Sequence, residues 1–66
     1  MVKVKTFTCA LKPFHIMEEL YDLDGMVNDF IVENKVERVV SVSDALTTDD
    51  RGATIGLIRV LAYERD

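Results

Sequence analysis

Apolar and polar side chains alternate through residues 2 to 9, VKVKTFTC, with Val2, Val4, Thr6 and Thr8 on one side and Lys3, Lys5, Phe7 and Cys9 on the other. A period of two predicts a strand, and the two lysines suit a solvated or edge position. Pro13 ends the extended stretch. Ile16, Leu20, Leu23, Val27, Phe30 and Ile31 then recur at spacings of three and four, the stripe of an amphipathic helix. Asp22-Leu23-Asp24-Gly25 interrupts it, because aspartate favours an N-cap and glycine costs about 1 kcal/mol inside a helix relative to alanine. The expectation is a helical turn or ordered loop over 14–21, then the main helix from Leu23 to Asn34, where asparagine provides a stop.

Residues 36–46, VERVVSVSDAL, are rich in β-branched side chains, with Val36, Val40 and Val42 on one side and Val39 on the other. Thr47 to Gly52 is turn material throughout. Residues 53–63, ATIGLIRVLAY, place Ile55, Leu57, Leu61 and Tyr63 on one face and Ile58, Val60 and Ala62 on the other, so this strand is apolar on both sides. A strand of that kind belongs at the centre of a sheet. The fold class expected is α+β: a single β-α-β-β domain over residues 1–66, with a three-stranded antiparallel sheet in the order 1-3-2. A right-handed crossover brings one helix onto one face. Which face it takes depends on a hairpin register that can slip by one residue at the 47–52 turn.

A helix covers only one face of such a sheet, and large apolar side chains left on the other mark an interface. Ile55, Leu57, Leu61, Tyr63, Val40 and Val42 are the expected interface residues. Size points the same way. At 66 residues a chain buries only about 60% of its unfolded surface and needs support from disulfides, metal or a partner. One cysteine and one histidine supply neither an internal disulfide nor a four-ligand zinc site. Hydrophobic residues make up 48% of the chain, which suits association into a homo-oligomer, a dimer or larger, with another protein partner as the other option.

Eight basic against twelve acidic residues give a net charge of −4 and a pI near 4.8. That surface repels phosphate backbones, so no nucleic-acid partner is expected. No apolar run approaches the ~20 residues of a membrane span. A lone thiol and the absence of a signal-like apolar run make the cytoplasm the expected location.

Candidate chemistry is sparse. Asp22-Leu23-Asp24-Gly25 lacks the spacing of a calcium loop, whose glycine falls at position 6. His15 has no second ligand or nucleophile at a recognisable spacing, and Cys9 has no neighbouring cation in sequence to activate it. Arg38 and Arg59 interrupt apolar strands and are read as ion-paired, with Glu37 or Asp44 as partners. Gly56 in the central strand signals a close approach, with packing by the helix as the expected cause. Catalysis needs several groups within hydrogen-bond reach, and none are grouped here. The chain is read as a non-enzyme with no metal or cofactor.

The strings Val2-Lys3-Val4-Lys5, Asp22-Leu23, Val27-Asn28-Asp29-Phe30, Glu33-Asn34, Val40-Ser41-Val42-Ser43 and Ala62-Tyr63-Glu64 resemble a family of small acidic sporulation proteins from spore-forming bacteria. That resemblance brings no catalytic or binding residue with it. The element order also resembles dodecins, small β-α-β-β proteins that assemble into hollow shells and stack flavin against a tryptophan. This chain has no tryptophan, so under that second reading, a flavin-type ligand held between subunits, the stacking ring would be Tyr63 or Phe7. The first reading is self-assembly or partner binding through the uncovered sheet face.

Overall fold

A computed structural model describes residues 1–52 and 54–65. Strand β1 (Val2–Ala10) leads into helix α1 (Ile16–Glu33), followed by strands β2 (Arg38–Thr48) and β3 (Thr54–Glu64). The sheet has the order β1-β3-β2 and is antiparallel throughout. The expected β-α-β-β domain is therefore the observed one. Its core is one cluster on one face, where Phe7, Leu57, Leu61 and Tyr63 meet Leu23 and Val27 of α1.

Three local expectations need correction. The helix is continuous from Ile16 to Glu33 and absorbs the segment read as loop. Asp22 and Asp24 lie inside it and cap nothing; the residue before its first turn is His15, whose side chain makes no cap bond. Leu20 on one side of Gly25 and Val27 on the other both pack on the core, and their burial outweighs the ~1 kcal/mol cost of the glycine. Asn34 ends the helix as expected, its backbone N–H and side-chain amide both donating to Phe30 O at 3.0 Å.

The second correction concerns β2, which begins at Arg38 and keeps Thr47 and Thr48 in the strand. Its register shifts between Val39 and Ser41, so Val39 pairs with Tyr63 and Val42 with Leu61. Both partners are core residues, and the shift puts Val39 and Val42 on the helix side together. A bulge has this effect because one extra residue reverses the alternation beyond it. The expected start of β3 at Ala53 lies outside the described residues.

The third correction is Gly56, which faces away from the helix. A Cβ there would stand 2.8 Å from Thr47 Oγ1 and 3.2 Å from Cys9 O. Glycine is required by its two neighbouring strands, not by helix packing. The hairpin turn is as expected, with the Arg51 N–H bonded to Asp49 Oδ1 at 2.8 Å, the Gly52 N–H bonded to Asp49 O at 3.0 Å, and Gly52 at φ 81°.

Candidate interaction surface

Alternation along the strands decides what each face of the sheet offers. On the helix side, Phe30 of α1 stands edge-on to Phe7 (centroids 5.7 Å apart, planes at 82°) and to Tyr63 (5.3 Å, 76°). The Lys5 ammonium lies 5.9 Å from the Phe7 ring centre and 5.8 Å from that of Phe30, within cation–π reach. Leu57, Leu61 and Tyr63 are buried here. They are therefore core residues beneath the helix and are removed from the interface set, because α1 settles on their face of β3. The same burial takes Phe7 and Tyr63 away as ligand-stacking rings.

Arg59 also faces the helix, with its side chain only 14% exposed. It donates two bonds to Asp44 (Nε to Oδ1 at 2.9 Å, Nη2 to Oδ2 at 3.2 Å) and pairs with Asp24 of α1 through Nη1. Those two carboxylates hold the guanidinium above its already high ordinary pKa, the Asp44 bonds contributing most. The cluster ties helix, central strand and β2 together. Arg38 forms a separate fork with Glu64, at 3.1 Å for each bond, at one end of the sheet. The expected ion pairing of both arginines is present, Asp44 as named, Glu64 and Asp24 being found only in three dimensions.

On the opposite face, β1 presents Val2, Val4, Thr6, Thr8 and Ala10, and β3 presents Gly56, Ile58, Val60 and Ala62. Past its bulge β2 adds Ser41, Ser43, Ala45 and Thr47. No charged side chain stands among these positions; among the described strand residues, charge on this face is confined to the Arg38–Glu64 pair. The remaining strand charges, Lys3, Lys5, Asp44 and Arg59, all point to the helix side. That inverts the arrangement of a sheet with one wet face, where the solvated side carries the charges. Val4 is 67% exposed. Of the remaining expected interface residues, Val40, Val42 and Ile55 are exposed. Val42 and Ile55 nonetheless belong to the helix side, at margins that α1 does not reach. The absence of charge from the even positions of residues 2 to 10 was legible in the sequence; that α1 leaves this face uncovered was not.

The scattered chemical groups stay scattered. His15 is exposed and stands 3.4 Å from Glu18. The Cys9 thiol is half-buried, and its pKa is raised by burial first and by the Glu19 carboxylate second, Arg59 opposing. No three His, Cys, Asp or Glu residues among those described are grouped to hold a metal ion. Among the described residues, no helix is long and apolar enough to cross a membrane. No family model, no curated protein and no solved structure matches the chain.

Proposed function

We propose that this protein works by binding and not by catalysis, and that its uncovered sheet face packs against the same face of a second copy in the cytoplasm, where Cys9 stays a thiol. The absence of net charge from that face carries the reading. In a chain of net charge −4, two copies approach with least repulsion through a surface whose carboxylate, Glu64, is paired with Arg38. β-Branched and hydroxyl side chains suit the ~10 Å spacing of stacked sheets.

Three strands ~4.8 Å apart and about 30 Å long present a strip of roughly 400 Å² in projection. Counted on both copies that is roughly 800 Å², the size of a weak, transient interface, so association in the tens of micromolar is expected. The test is a pair of neighbouring substitutions. Leu57→Lys buries a charge beneath α1 and should abolish the fold, read as loss of far-ultraviolet dichroism. Ile58→Lys should leave the fold intact and convert the sedimenting species to monomer. A wild-type chain that remains monomeric at 100 μM overturns the proposal.

A further inference from the structure

The outer edge of β1 is a second surface, independent of the sheet face. The Leu11 N–H donates to Ile55 O (3.0 Å) and the Arg65 N–H to Met1 O (3.2 Å), both in the register that pairs Val2 with Glu64. Bonded pairs alternate in an antiparallel ladder. Lys3, Lys5, Phe7 and Cys9 therefore bond to β3, and the N–H and C=O groups of Val2, Val4, Thr6, Thr8 and Ala10 point outward. This edge is regular and free of proline over all nine residues, whereas the other edge, β2, is broken by its bulge. Its blunting is limited to Lys3 and Lys5, both on the helix side, and none falls at Val4, Thr6 or Thr8.

A groove of about 490 Å³ runs between that edge and α1, with Phe7, Phe30 and Met26 forming its apolar wall and Lys5, Asp29 and Glu33 its polar groups. Glu19 and Asp22 lie on the same side of the helix, seven and four residues before Met26, so four helix carboxylates stand on this flank against the two ammoniums of Lys3 and Lys5 on β1, and the flank is net acidic. None of these four acidic residues has an ion-pair partner among the described residues. A second β1 brought to this edge would carry its own acidic helix flank with it. Like charge thus disfavours a copy of this chain and favours a cationic guest.

We propose that this groove takes an extended basic segment of another protein as a fourth strand, antiparallel to β1. Its backbone bonds to the outward groups of Val4, Thr6 and Thr8. One of its side chains, large and apolar, enters between Met26 and Phe30, and arginine or lysine two residues to either side meets Asp29 and Glu33. This is β-strand addition, in which backbone bonds give affinity and alternate side chains give selectivity.

The probe is a capped seven-residue peptide in which threonine alternates with arginine, leucine and arginine, compared with a twin carrying glutamate for arginine. Exchange of the Val4, Thr6 and Thr8 amides should slow at least tenfold with the arginine peptide, while the Lys5 and Phe7 amides, already bonded to β3, stay as they were. Asp29→Asn combined with Glu33→Gln should weaken binding about tenfold and flatten its salt dependence, since both groups are exposed and the fold does not rest on them. Ile58→Lys should leave peptide binding unchanged, which separates this site from the sheet-face assembly. Equal binding of the glutamate twin, protection that falls on β2, or no saturation by 1 mM overturns the proposal. So does concentration-dependent protection of the Thr6 amide in the free protein, which would assign the edge to a second copy.

Discussion

Gly25 stands in the middle of an 18-residue helix with nothing within 4 Å of the position a Cβ would occupy. No turn, close approach or positive φ requires a glycine there. Gly25→Ala should therefore stabilise the domain by about 0.5–1 kcal/mol, through lower entropy of the unfolded chain and better helix propensity. For a domain of this size that is a rise in Tm of several degrees, measurable by thermal dichroism; an unchanged or lower Tm would show a hidden packing role. Gly56 is the contrasting case, since a methyl group there meets a hydroxyl and a carbonyl. At this scale the sequence was legible where one residue type has one common meaning, as in Asp49 to Gly52. It misled at Asp22 to Gly25, where cap-forming residues are overridden by the burial of Leu23 between them.

The helix is held to the sheet by an apolar stripe and by one polar tie, Arg59 between Asp44 and Asp24. The two carboxylates are not equivalent. Asp44 makes a two-bonded fork and is the less exposed, at 42% against 57% for Asp24. Asp44→Asn should cost about 1–2 kcal/mol, a forked charged pair discounted for its partial exposure, and Asp24→Asn about 0.5 kcal/mol. Urea denaturation of the two variants checks the order, and equal midpoints would show that Arg59 is served by either carboxylate alone. Strand existence, strand type and the central place of β3 were all readable from periodicity. The face presented by β2 was not, because a bulge reverses alternation without leaving a mark in composition. Arg59–Asp24, 35 residues apart in sequence, had no local signal either.

Taken whole, the chain is long and thin. Its radius of gyration is 13.4 Å, where about 11 Å is usual for a compact body of this length. Its accessible surface is 4965 Å², against roughly 4,200 Å² for a monomer of this mass. Only six apolar side chains among the described residues are buried, too few to leave a wide margin of stability in isolation. If sheet faces pair, folding and association are linked, and Tm must rise with protein concentration. A tenfold dilution through the micromolar range should lower it by several degrees, as read by scanning calorimetry. A Tm constant from 5 to 500 μM would show that each copy stands alone. The expectation of a partner came from length and composition. Which face would meet one could not be read, because choosing between faces required knowing where α1 lies.

The 1-3-2 order also has a consequence in time. β1 and β2 never pair with each other; each is hydrogen-bonded only to β3. A chain leaving the ribosome thus has its first strand, its helix and its second strand outside before a single rung of the sheet can form. Until Thr54 to Glu64 emerge, the apolar sides of β1 and α1 have no strand to close against, and Val2 must then find Glu64 across 62 residues of chain. Closing so long a loop is slow compared with a local hairpin. Folding therefore waits on β3 and completes in one cooperative step, so a fragment cut anywhere before that strand has no sheet to keep.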